Sequence, residues 1–241
     1  MKYAVEINKV SKCFELTGRG HTLFSFFKKN RIQKKAPKSI WALKDINLNI
    51  KPGETIGIIG NNAAGKTTLL RIIAGIYKPS KGSLLINGKI SGFLYLGMGM
   101  QRELSALENI YLYGAIIGMS KNYIDKQLDD IISFAELENF IHTPMKDFSS
   151  GMIVRLFFSV ARQIDSDILF FDEILFGGDI HFRDKIVEVF KQYKETGKTI
   201  IISSHSMDII EMFCDRALLL NCGNQLAFGN TKDVINTYNK S

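Results

Sequence analysis

Nine residues, Gly60-Asn61-Asn62-Ala63-Ala64-Gly65-Lys66-Thr67-Thr68, have the spacing G-x-x-x-x-G-K-[ST]. They follow the apolar run TIGIIG and open the helical pattern of LLRIIAGI, the strand–loop–helix context this motif requires. A loop of this kind binds phosphate. Gly60 and Gly65 let backbone N–H groups turn inward, where bulkier residues would place side chains between backbone and phosphates. The following helix start adds positive potential. Lys66 is placed to bridge β- and γ-phosphates, and Thr67 to offer its hydroxyl to Mg²⁺.

A second chemical group ends the apolar run ILFFDE. Asp172 closes a strand expected to be buried, where a carboxylate is costly without a partner such as a magnesium shell. Glu173, next in line, can orient a water for attack on a γ-phosphate. His205 ends a third apolar run, TIIISSH. A lone histidine is commonly structural, but its place after this strand favours a functional role. His21, His142 and His181 read as surface or helix residues without a role.

These groups need a scaffold. YAVEINKV and ALKDINLNI alternate as strands, and TIGIIG, ILFF and TIIIS are short continuous apolar strands. SLLING ends in an Asn-Gly turn, and KISGFLYL is expected to pair with it. LENIYLYGAIIGM, YIDKQLDDIISFAEL, SGMIVRLFFSVARQI and HFRDKIVEVFKQYKE have helical periodicity. ALLL and QLAF, joined by NCGN, read as a hairpin, and TKDVINTYNKS as a short final helix. Strands alternating with helices predict an α/β fold with a parallel central sheet.

The totals agree. The 241 residues are 46% hydrophobic, enough for a substantial core. Cys13, Cys214 and Cys222 have no metal or redox spacing and suggest a reducing compartment. MKYAVEINKV reads as a strand rather than a signal peptide. No stretch approaches the ~20 mostly apolar residues of a membrane span. The net charge of +7 is local. HTLFSFFKKNRIQKKAPK, residues 21–38, holds Lys28, Lys29, Arg31, Lys34, Lys35 and Lys38 without an acid. A nucleic-acid binder usually spreads its charge over the folded surface. This insert is read either as a solvated basic loop or as a local electrostatic contact.

The segment DFSSGMIVRLFFSVA lies between the phosphate loop and the Asp-Glu strand. Together these pieces resemble the nucleotide-binding subunit of ABC transporters, over roughly residues 3–230. Phe148-Ser149-Ser150-Gly151-Met152 occupies the place of the family's signature, usually LSGGQ. A serine at a helix start can bind phosphate through its hydroxyl and the N–H groups that follow. The resemblance implies a P-loop NTPase with a RecA-like core, an antiparallel β subdomain and a helical subdomain carrying the signature. It implies ATP and Mg²⁺ as cofactors and ATP hydrolysis as the activity. It also implies a homodimer in which Ser149, Ser150, Gly151 and Met152 meet the nucleotide of the other chain. Asp179 takes the place of the family's interface-crossing D-loop aspartate. Phe14 takes the place of an aromatic that stacks on adenine, with a core aromatic as the alternative.

SSGM in place of SGGQ, LENIYLYGAIIGMS, FAELENFI, DEILFGGD and the basic insert are similar to exporters of lipid-linked polysaccharides: O-antigen, capsule and teichoic-acid systems. The resemblance then implies a peripheral ATPase on the cytoplasmic face of the cell membrane. Its partners are separate integral-membrane permease subunits and a lipid-linked glycan, with no nucleic acid. Residues 1–241 are expected to form one such domain, with the insert at about 17–40 and the helical subdomain at about 100–160. No transmembrane domain and no C-terminal carbohydrate-binding domain are expected. The insert is expected to form a short amphipathic helix and basic loop at the membrane or permease face. An exporter of another cargo, or a soluble ABC ATPase acting on ribosomes or nucleic acid, are the alternatives. Two departures stand out. Ala63 replaces a glycine common in the family's loop, a costly change if the position has positive φ. Leu96, with Gln101 nearby but out of register, falls where the family's Q-loop glutamine is expected.

Overall fold

Alternating apolar residues build two long strands, β1 (Val5–Leu16) and β2 (Lys38–Ile50), paired antiparallel with Val5 opposite Ile50. In the computed structural model, residues 2–16, 38–92, 99–171 and 180–240 are described. Residues 17–37 of the basic insert, Leu96, Asp172, Glu173 and Asp179 lie outside them. Next come β3 (Thr55–Ile59), α1 (Lys66–Ile73), β4 (Lys81–Ile86) and β5 (Ile90–Gly92). The helical stretch holds α2 (Ala106–Ile116), α3 (Lys121–Ala135) and α4 (Ser150–Ala161). β6 (Ile168–Phe171), α5 (Ile180–Glu195), β7 (Thr199–Ser203) and α6 (Met207–Phe213) follow. The hairpin β8 (Arg216–Asn221) and β9 (Asn224–Asn230) leads into α7 (Thr231–Tyr238).

Among the described residues, nine strands form one sheet in the order β4-β1-β2-β9-β8-β3-β7-β6-β5. Its β8-β3-β7-β6-β5 portion is parallel. Every residue of β3, β6 and β7 is buried, as expected for parallel strands covered on both faces. Alternate residues of β7 enter opposite cores. Ile201 packs with Leu69, Leu70, Ile72 and Ile73 of α1, whereas Ile200 and Ile202 join the cluster holding α2 to α6. This two-sided burial brings the carboxyl ends of β3 and β7 to one edge, where ligands of open α/β sheets bind.

One expected pairing differs. β5 does not pair with β4; β4 lies on β1, and β5 runs parallel to β6 with Ile90 opposite Ile168. A tight Asn-Gly hairpin needs positive φ at both turn residues, but only Gly88 has it, at 138°. Instead Asn87 donates its side-chain N–H to the Tyr3 carbonyl at 2.7 Å. The Asp167 carboxylate accepts the Lys89 N–H at 2.7 Å and ties the strand to β6. Helix α6 was also absent from the sequence reading. Its seven residues are too few for a periodic pattern, and burial of Ile209 and Ile210 holds it in place.

The helical stretch is fixed by caps and one buried amide. Ser105 and Glu108 form a reciprocal capping box at the start of α2. The Ser105 hydroxyl and then its backbone N–H, both donating to Glu108, hold that carboxyl below its usual range. Asn109 is fully buried. Its Nδ2 donates to the carbonyls of Gln101, Leu104 and Ser105, and its Oδ1 accepts the Gln101 N–H. This residue of the Glu-Asn pair therefore pins the 101–105 loop.

Candidate functional site

The loop between β3 and α1 is shaped by three positive φ angles: 145° at Gly60, 63° at Ala63 and 108° at Gly65. The strands behind the loop also require the two glycines. A Cβ at Gly60 would stand 2.2 Å from the Leu220 carbonyl oxygen of β8, and one at Gly65 2.8 Å from the Ala42 carbonyl oxygen of β2. The crowding comes from the strands behind the loop.

Lys66 opens α1 and is buried. Its Nζ donates to the carbonyls of Gly60 at 2.7 Å and Asn61 at 3.2 Å, so the ammonium is held inside the loop. A first helical turn leaves N–H groups without intrahelical partners, and no side chain caps this one. Thr67 is exposed on that turn and Thr68 half-exposed. Asn61, Asn62 and Ala63 are exposed, and Ala64 packs inward.

Ala63 meets the condition that made it notable. A left-handed backbone costs a non-glycine residue about 1–2 kcal/mol, while glycine loses about 0.5–1 kcal/mol through its own flexibility. Ala63→Gly should therefore stabilise the chain by about 0.5–1 kcal/mol. Chemical denaturation of both forms checks this, and an unchanged or lower midpoint would show that Ala63 is unstrained.

His205 follows β7 and is exposed. It lines a cleft of about 230 Å³ with Asn61, Asn62 and Tyr238. This cleft places His205 beside Asn61 and Asn62 of the Gly60–Thr68 loop. Tyr238 was not singled out from sequence. It stands 177 residues from Asn61, and no local pattern marks it. A larger cleft, of about 650 Å³, lies between α3, Arg162 at the end of α4, and α5, away from the Gly60–Thr68 loop.

The residues fit a magnesium–nucleotide complex. Magnesium favours oxygen donors and is usually held by one or two side chains plus substrate phosphates. Thr67 supplies an exposed hydroxyl. Ser203, whose backbone lies beside Ile58, has a buried Oγ with no hydrogen-bond partner among the described residues. Also among the described residues, no cluster of three His, Cys, Asp or Glu could cage a metal alone. A cation bound here would draw its remaining oxygens from phosphate.

Ser149 is the N-cap of α4, and its Oγ accepts the Met152 N–H at 3.2 Å. Phe148 is buried beneath it, while Ser149 and Ser150 are exposed. Among the described residues, a Cβ on Gly151 would meet only Ser149 Oγ, at 3.9 Å. Packing among the described residues gives that glycine no steric reason. Phe14 is half-exposed, packed edge-on against Tyr77 at 5.5 Å, with Lys12 Nζ over both rings. The Arg71 guanidinium donates to the Tyr77 hydroxyl at 3.1 Å. Gln101 is exposed and turns its side-chain amide toward the Gly99 carbonyl.

Residues 43–175 match the family model described as ABC transporter. The chain is 44% identical over 202 residues to the O-antigen export system ATP-binding protein RfbB of Myxococcus xanthus, covering 84% of this chain and 46% of that protein. It is 34% identical over 244 residues to the protein of the same name from Klebsiella pneumoniae, covering 100% and 99%. It is 38% identical to the teichoic acids export ATP-binding protein TagH of Lactiplantibacillus plantarum, covering 99% of this chain and 65% of that one. The chain thus spans less than two thirds of the length of two of these three relatives. Its fold superposes with a TM-score of 0.74 and 25% identity on an ATP-binding cassette solved as a dimer in a post-hydrolysis state bound to ADP and Pi, covering 94% of this chain and 98% of that one. With this match over more than half of its residues and a relative alike along its whole length, the chain belongs to the ABC transporter family.

Proposed function

We propose that this chain hydrolyses ATP to power export of a lipid-linked polysaccharide of O-antigen, capsule or teichoic-acid type. Similarity to O-antigen export ATP-binding proteins along the whole chain carries the cargo assignment. Lys66, inside the loop, neutralises charge on the β- and γ-phosphates while loop N–H groups orient them. Thr67 and Asp172 hold Mg²⁺, which when bound spreads the phosphate charge. Glu173 orients the attacking water, and His205 faces the γ-phosphate from the end of β7. Phe14, with Tyr77 beside it, offers a face to adenine.

The chain works as a homodimer. Ser149 and Gly151 of one copy approach the nucleotide of the other, which accounts for a glycine that the described residues of its own subunit do not crowd. Asp179 lies at that interface. Residues 1–241 act as one nucleotide-binding unit, with the helical subdomain at about 100–160 and the insert at about 17–40. Among the described residues, no helix is long and apolar enough to cross a membrane. Separate permease subunits supply the path, and the ATPase sits on the cytoplasmic face of the cell membrane.

The test is affinity capture of the tagged chain from solubilised membranes, with and without ATP. A multi-span membrane protein in near-equal amount is the expected result. Capture of ribosomal proteins or DNA from a soluble fraction would overturn the export reading.

A further inference from the structure

Tyr238 sits in the last turn of α7, and its hydroxyl donates to Asn61 Oδ1 at 3.0 Å. Asn61 is the second residue of the phosphate loop. Its backbone carbonyl accepts Lys66 Nζ at 3.2 Å and the Ala64 N–H at 3.1 Å. One residue is therefore gripped from outside the loop by Tyr238 while gripping the site lysine from within.

The helix that delivers this hydroxyl is firmly seated. Thr231 Oγ1 donates to the Cys214 carbonyl at 2.7 Å in a buried contact, and Asn230 caps the helix by accepting the Lys232 N–H at 3.1 Å. Val234 and Ile235 are buried in the same cluster as Ile209, Ile210 and Leu219. Tyr238 also lines the cleft that contains His205. The hydroxyl thus reaches the loop from packed structure.

We propose that Tyr238 is a positioning residue for the phosphate loop. By holding the Asn61 side chain it fixes the carbonyl that orients Lys66, and so raises nucleotide affinity. The seating of α7 is thereby coupled to nucleotide binding. This inference rests on the reading of the Gly60–Thr68 loop as the ATP phosphate site.

Tyr238→Phe removes the hydroxyl and keeps the ring. One net hydrogen bond corresponds to about a two- to tenfold change in an equilibrium. Calorimetric titration of the full chain with Mg-ADP should show affinity lowered by that factor. The KM for ATP should rise by a similar factor. In an Asn61→Ala background the same change should cause no further loss, since its partner is already gone. Wild-type affinity in Tyr238→Phe would overturn the inference. So would a loss of equal size in the Asn61→Ala background. If the wild-type chain itself fails to bind Mg-ADP, the phosphate-loop reading falls and the inference with it; if the wild type binds and Tyr238→Phe matches it, only the inference falls.

Discussion

Lys66→Ala should lower ATP hydrolysis at least about a hundredfold, the scale seen when one preorganised donor to a transition-state oxygen is removed. The ammonium is buried and lies 2.7 Å from the Gly60 carbonyl and 3.2 Å from that of Asn61. Those contacts hold it at the centre of a loop whose helix start supplies N–H groups, so its charge acts where water screens it little. Nucleotide affinity should fall as well, because a charge-assisted bond contributes about 1.5–3 kcal/mol. Lys66→Arg should not restore activity. A planar guanidinium has different reach and donor geometry from a compact ammonium, and two loop carbonyls already define the space. Phosphate release by the full chain is the measurement. Turnover close to wild type in Lys66→Ala would show that this ammonium is not at the transferred phosphate.

Glu173→Gln should abolish most hydrolysis and leave ATP binding intact. A positioned general base contributes about 10²–10⁴ in rate, and the amide keeps the shape of the carboxyl without its basicity. On the proposed roles Lys66 still holds the nucleotide, so binding and chemistry should separate in this variant. With ATP bound and not consumed, two chains should stay closed on each other, and the chain should elute at twice its mass only when ATP is present. Hydrolysis at the wild-type rate would remove Glu173 from the mechanism. Loss of binding together with hydrolysis would assign it to nucleotide retention instead.

Local patterns were readable where contiguous residues carry both the geometry and the chemistry. The phosphate loop is one such case: Gly60, Gly65 and Lys66 are close in sequence and sit between a strand and a helix that periodicity marks. Ser149 is another, since a serine before a helical run has few places to be except the N-cap, and its Oγ does accept the Met152 N–H. The buried strands β3, β6 and β7 followed from their unbroken apolar runs. The Glu108-Asn109 pair marked the start of the helical stretch, but not the four hydrogen bonds through which Asn109 pins the preceding loop.

What sequence alone determined about this protein is its chemistry and fold class, because propensity, periodicity and motif spacing act over a few residues. Only the tertiary structure decided which strand β5 joins, since that depended on the Asp167 carboxylate 78 residues from Lys89. It also decided why Gly60 and Gly65 are needed: a carbonyl of β8 and one of β2 leave no room for a Cβ. The bond from Tyr238 to Asn61 belongs to the same class. A contact between residues far apart in the chain forms only when packing brings them together, and neither residue's neighbours in sequence record that it will.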